Sequence, residues 1–283
     1  MPYSIRLFLF LFVVIFANIM QTITGFAGTV LAMPFSIILM GSEFSRTILN
    51  ILGILASLGV VILNFKSINW KEVIKICVIM LVGMVGGYLI LGYVNISKQA
   101  LLIILAGFVL LFTAIGCYNT FVKKEGLEEK KVEDVPLENI NPLDLKDSEI
   151  YRDPWYKEAI LYILLIIAGI VHGMYVCGGP LLIIYATKKL KDKNEFRSTL
   201  SMTWVVLNGV NLVRDIITKN FYIGTQPIEA AAAFTMSIFV LIAAIAVGNL
   251  LAKRMNKRVF MIITYVLMGI SAISLILNAC GVF

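Results

Sequence analysis

The chain of 283 residues is poor in charge, with Asp, Glu, Lys and Arg making up 14% of it, and it contains a single histidine. Soluble domains carry about 25% charged residues, so an ordinary soluble enzyme is excluded. One histidine cannot furnish a His-rich metal site or a triad plus ligand set. The sequence also lacks Gly-x-Ser-x-Gly, His-Glu-x-x-His and a P-loop. Its four cysteines, Cys77, Cys117, Cys177 and Cys280, lie in apolar stretches without CxxC or Cys/His spacing, a pattern that excludes a disulfide framework and a thiolate metal centre. No catalytic residues, metal ligands or cofactor are expected. The formal net charge is +7, yet no basic face with interleaved aromatics occurs, which argues against nucleic acid as a partner.

Apolar residues, by contrast, make up 60% of the chain, and its mean hydropathy is +0.93. A hydrocarbon core about 30 Å thick takes about 20 apolar residues of helix per crossing. Hydrophobic segments fall near 5–22, 29–41, 46–64, 73–92, 99–119, 157–175, 178–187, 198–217, 228–250 and 258–280. The first has no basic lead beyond Arg6 and no small-residue cleavage site, and reads as a retained helix rather than a signal peptide. Two segments, near 29–41 and 178–187, are too short to cross, and each follows a glycine cluster. They read as half-helices or re-entrant elements, and loop charge does not decide between spanning and turning back.

The stretch from Phe121 to Glu158 is the only long polar one, with seven Lys/Arg and eleven Asp/Glu. It divides the chain into a first transmembrane repeat (1–120), a charged linker (121–156) and a second repeat (157–283). The halves share a pattern: Glu43-Phe44-Ser45-Arg46-Thr47 follows one glycine cluster, Glu195-Phe196-Arg197-Ser198-Thr199 follows the other, and Trp70 and Phe221 lie equally far beyond the two arginines. Five segments per repeat is an odd number, so the second copy is expected upside down relative to the first. The expected fold is therefore an all-α integral membrane protein of two inverted-topology repeats with short broken helices. Of the 24 Lys and Arg, 19 fall on the side of the linker. The positive-inside rule places that side in the cytoplasm and both termini outside, in a multi-pass protein of the cell membrane.

Broken helix is tolerated in a bilayer only where it lines a cavity or is covered by protein. Thr24-Gly25-Phe26-Ala27-Gly28 and Cys177-Gly178-Gly179-Pro180 are therefore the leading site candidates. The half-helices after them would aim their N-terminal N–H groups at one midplane point, a setting for an anion. Gly83, Gly86, Gly87, Gly107 and Gly169 read instead as close-packing positions between helices.

The pattern Gln21-x-x-Thr24-Gly25-Phe26-Ala27-Gly28-x5-Pro34, with Gly169-x3-Gly173-x4-Gly178-Gly179-Pro180-x4-Tyr185, Arg197-x-Thr199 and Asn208, resembles the sulfite exporter TauE/SafE family of membrane transporters over nearly the whole chain outside the linker. The family often has three successive glycines where this chain has Cys177-Gly178-Gly179, and Gly-Phe-Gly where it has Ala27. The resemblance implies movement of sulfur-containing anions such as sulfite or organosulfonates, usually outward, and no enzymatic activity.

His172 lies inside a hydrophobic segment one turn before the second cluster, where an ionisable side chain suggests function. It is a candidate anion contact or proton relay, or a neutral imidazole bonded to a neighbouring helix. Asn208 and Asn211 share a helical face and offer amide donors to an oxyanion or bonds between helices. Asn18, Gln21 and Thr22 give the first segment a similar polar end. Arg46 and Arg197 read as anion guides at opposite faces or as ion pairs with Glu43 and Glu195, and Arg214 and Asp215 as partners of each other. The expected substrate site comprises Gln21, Thr24, Gly25, Phe26, Gly28, His172, Cys177, Gly178, Gly179, Pro180, Asn208 and Asn211. The expected function is secondary transport of a small sulfur-containing anion, with proton coupling open. The rivals are a carrier or channel for a carboxylate or cation, and an intramembrane enzyme. The expected partners are the small anion and the lipid bilayer; the sequence leaves the oligomeric state open.

Overall fold

A computed structural model describes residues 3–26, 28–93, 155–175, 178–190, 192–218 and 227–281, with single residues between 103 and 118. The first half contributes α1 (Tyr3–Thr24), α2 (Gly28–Met40), α3 (Ser42–Leu63) and α4 (Trp70–Tyr93), with a 3₁₀ turn over Phe65–Ser67. The second contributes α5 (Trp155–Tyr175), α6 (Gly179–Lys189), α7 (Lys193–Ile217), α8 (Pro227–Arg254) and α9 (Lys257–Ala279). The expected fifth segment, 99–119, falls largely outside the described residues. So do Ala27, Cys177, Lys98, Phe221 and the linker up to residue 154.

Helix is what these runs must form in lipid, where each backbone N–H and C=O has to be satisfied within the segment. Four helices among the described residues have the length and hydropathy to cross a membrane: Tyr3–Thr24, Phe44–Leu63, Trp70–Ile90 and Ala231–Arg254. The polarity of the bundle is inverted relative to a soluble protein. On α1, Phe8, Phe12 and Phe16 form an exposed stripe, while Asn18, Gln21, Thr22 and Thr24 are buried. Val78, Val82, Val85 and Leu89 line the outer face of α4 in the same way. An apolar exterior of this extent is a lipid-facing surface.

The short segments stay short. With 13 residues in α2 and 11 in α6, they extend about 20 and 16 Å, well below a full crossing. Other boundaries move outward from the apolar runs because polar caps extend them. α7 begins at Lys193 rather than at residue 198, since the Asp192 carboxylate accepts from the Asn194 and Glu195 N–H groups at 2.8 and 2.9 Å. α8 continues to Arg254, and the Lys193 ammonium donates to the Ala252 and Met255 carbonyls at 2.7 Å each, covering its C-terminal end.

The helix pairings come in twos. Exchanging α1–α4 with α5–α8 maps α1·α2 onto α5·α6, α2·α3 onto α6·α7, α4·α5 onto α8·α1 and α4·α7 onto α8·α3, and leaves α3·α7 unchanged, and all of these pairs are packed. The closest approach is between α4 and α5. A Cβ placed on Gly83 would lie 2.2 Å from the Ile166 carbonyl oxygen, one on Gly87 2.3 Å from that of Ile170, and one on Gly169 2.2 Å from that of Met80. Glycines four apart on both helices let the two backbones touch, as expected for membrane helices.

Candidate functional site

Both glycine clusters fold the chain back beside the helix it has just left. After α1, Gly25 adopts φ +84°, a left-handed conformation that favours glycine, and the chain returns so that Gly28 packs on Gln21 and Ala17. After α5, Gly178 packs on His172 and Ala168. The reversals are alike to within one residue: in each, a glycine meets the side chain of one residue and the carbonyl oxygen of the residue four before it, but Gly28 stands one residue further beyond Gln21 than Gly178 does beyond His172. Gln21 and His172 therefore occupy equivalent places. The register that pairs Arg46 with Arg197 pairs Gln21 with His172 and also Ser57 with Asn208.

The two reversals meet at a small cavity lined by Gln21, Phe26, Thr29, His172, Gly179, Trp204 and Asn208. Its volume is about 10 Å³, room for about one water molecule. The lining residues come from α1, its reversal, α2, α5, α6 and α7, so neither half encloses it alone. His172 is 1% exposed and Trp204 4%, and their rings lie 5.3 Å apart.

The two halves satisfy their polar groups differently. Gln21 is fully engaged: its Nε2 donates to the Ser57 hydroxyl at 3.1 Å and its Oε1 accepts from the Gly28 N–H at 2.8 Å, which caps the start of α2. The equivalent pair in the second half, His172 and Asn208, lies in contact but forms no hydrogen bond of good geometry. Both ring nitrogens of His172, the Asn208 Oδ1 and the Trp204 Nε1 are buried without a well-formed hydrogen bond among the described residues. Among the described residues no side chain caps the start of α6, whose first N–H groups have no partner within the helix. Buried polar groups are almost always paired, and an unmet one costs about 1–3 kcal/mol. Several of them gather around this one cavity, which makes it the candidate place for a ligand. Trp204 and the opening N–H groups of α6 can only donate and His172 donates from at least one nitrogen, while the Asn208 Oδ1 only accepts, so donors outnumber the one acceptor, as an oxyanion requires.

Of the expected site residues, Gln21, Phe26, His172, Gly179 and Asn208 line the cavity. The others shape its surroundings. The Thr24 hydroxyl donates to the Met20 carbonyl at 2.7 Å and accepts from the Phe26 N–H. Gly25 lies against the Arg197 backbone, while Gly28 and Gly178 form the floors of the two reversals. Pro180 sits in the first turn of α6. Asn211 lies one turn beyond Asn208 and takes the Tyr88 hydroxyl on its Oδ1 at 2.7 Å, a bond between helices. Cys177 lies outside the described residues. Thr29 and Trp204 were not singled out from sequence. A tryptophan in the middle of a helix, rather than at its end like Trp70 and Trp155, was the available signal.

Arg46 and Arg197 pair differently from the sequence reading, while Arg214 keeps its expected partner Asp215. Arg46 bonds the Asp215 carboxylate at 3.0 and 3.2 Å. Arg214 lies 3.7 Å from the same carboxylate and stacks over the Tyr88 ring at 4.2 Å. Arg197 does not pair with Glu195, whose carboxylate instead accepts from the Asn69 amide at 2.7 Å. Charge segregates to the two ends of the bundle: Arg46, Arg214 and Asp215 meet at one, and Lys66, Lys71, Asp192 and Glu195 line an open groove at the other.

The family model described as Sulfite exporter TauE/SafE matches residues 10–275. No curated protein and no solved structure matches the chain.

Proposed function

Because the chain belongs to the sulfite exporter TauE/SafE family, a family of membrane transporters and not of enzymes, we propose that it carries a small sulfur-containing oxyanion through the cavity between Gln21 and His172. It is a multi-pass membrane protein of the sulfite exporter type. One observation carries the finer reading: the unmet polar groups of His172, Trp204 and Asn208 line one small cavity. The first half, with Gln21 closed on Ser57 and Gly28, serves as a fixed wall, and the second half provides the open valences.

Among the described residues no lysine or arginine lines the cavity, so the anion is held by hydrogen-bond donors and the N-terminal end of α6 rather than by a salt bridge. The space fits about one water, so an oxyanion enters only when the surrounding helices part, as alternating access requires. The excess of Lys and Arg on the linker side supports an arrangement with the linker in the cytoplasm and both termini outside, the two repeats being 1–120 and 157–283. Outward movement of the anion, with His172 passing a coupling proton, completes the reading.

The test is uptake of radiolabelled sulfite, thiosulfate, sulfoacetate and sulfate by proteoliposomes containing the purified chain, against empty vesicles and the Asn208→Ala variant. Saturable uptake of one sulfur anion, weakened in the variant, is the expected result, and no uptake of any of them would remove the substrate class. Uptake indifferent to an imposed pH gradient would remove the proton.

A further inference from the structure

Arg197 is among the largest fully buried side chains of the protein, 1% exposed. Its Nε–H donates to the Thr22 carbonyl, and its Nη2 donates to the Asn249 Oδ1 at 2.8 Å. Both acceptors are neutral. No carboxylate pairs with it among the described residues, and Glu195, two residues before it, is bonded to Asn69. Its counterpart in the other half, Arg46, is neutralised by Asp215. A buried cation without a counter-ion is costly, and proteins pair such charges or leave them a role.

The position of the guanidinium gives that role a direction. Thr22, which it grips, follows Gln21 of the cavity wall, and Gly25 of the first reversal packs on the Arg197 backbone. Arg197 also opens α7 at the end of the bundle that carries Glu195 and Asn69. It therefore lies between the cavity and the lysine-lined end. We propose that Arg197 is a second anion station, at which the oxyanion, on its way between the cavity and the linker-side end, replaces the Thr22 carbonyl and the Asn249 amide as partner of the guanidinium. Exchanging neutral acceptors for an anion supplies the missing counter-ion and strengthens each bond. The station rests on the anion-carrier reading above.

The experiment is equilibrium dialysis of the purified full chain in detergent with radiolabelled sulfite, with tryptophan fluorescence followed in parallel as the report of the cavity through Trp204. The expected stoichiometry for the native chain is two sulfites. Arg197→Gln should lose one and retain the fluorescence change, and Arg197→Lys should keep both. Asn249→Ala removes a competing acceptor and leaves the charge, so it should bind the second sulfite about tenfold more tightly. A merely structural arginine predicts no such gain, so unchanged or weaker binding in Asn249→Ala overturns the station even if Arg197→Gln fails to fold. One sulfite bound in the native chain, with the fluorescence change present, removes the station and leaves the carrier reading. No sulfite bound removes both.

Discussion

The Arg46 guanidinium and the Asp215 carboxylate, 3.0 Å apart, tie the first turn of α3 to the last turn of α7 at the end of the bundle away from the linker-side lysines. Asp215 is buried and Arg46 half-exposed, so solvent screens part of the attraction. A double-mutant cycle of Arg46→Ala and Asp215→Asn in detergent should return a coupling of about 1 kcal/mol. A coupling near zero would mean that α3 and α7 are held at this end by apolar packing alone.

Replacing His172 with Gln copies into the second half the residue that stands at the equivalent place in the first. The variant should fold, since glutamine has the volume and bonding capacity to lie beside Asn208, but the open valences of the cavity would be partly filled by its own amide. The expected outcome is a KM for sulfite raised about tenfold, with an unchanged thermal midpoint. An unchanged KM would assign His172 to packing.

Trp204→Phe keeps a ring against His172 and removes only the Nε1–H donor. Weaker sulfite affinity, by about three- to tenfold, with intact folding is expected. In the native chain, sulfite should alter tryptophan emission, and that change should vanish in the variant, because Trp204 lines the cavity while Trp70 and Trp155 are the first residues of α4 and α5. Persistence of the change would place the anion elsewhere.

Gly169→Leu should abolish accumulation of folded protein. A Cβ alone would stand 2.2 Å from the Met80 carbonyl oxygen, and backbone cannot yield as a side-chain tip does. Gly269→Ala, where nothing lies within 4 Å, should be silent in size-exclusion profiles run side by side. Equal behaviour of the two variants would contradict the close contact of α4 and α5.

Much of this architecture was legible in the sequence because lipid imposes a simple rule: apolar runs become helices, and their length decides whether they cross. The segments near 29–41 and 178–187 announced themselves as short, and glycine before each located the reversals. Finer pairing was hidden. That Gln21 would close on Ser57 while His172 stays open to Asn208 depends on where α3 and α7 pass the reversals, which no local pattern records. Arg197 looked like a partner for Glu195 by proximity along the chain, yet on a helix residues two apart point to different sides. Asp215, remote in sequence, was the partner Arg46 found. Asn208 and Asn211 share a face, but one turn of rise between them is enough to send the first to the cavity and the second to Tyr88.

The backbone contact of α4 with α5, and its counterpart between α1 and α8, where Gly248 packs on Thr22 and Ile19, joins each half of the chain to the other. Genealogy and mechanics therefore divide this molecule along different lines. A duplication would make two units of consecutive helices, but those units are fused crosswise where glycines let main chain lie on main chain, and such seams do not slide. A rocking of one sequence half against the other would have to tear them. Within that frame α3 is tied to α7 by the Arg46–Asp215 ion pair, while both reversals are themselves seated on main chain, Gly25 on Arg197 and Gly178 on Ala168, so any opening of the proposed cavity has to come from inside an interlaced frame.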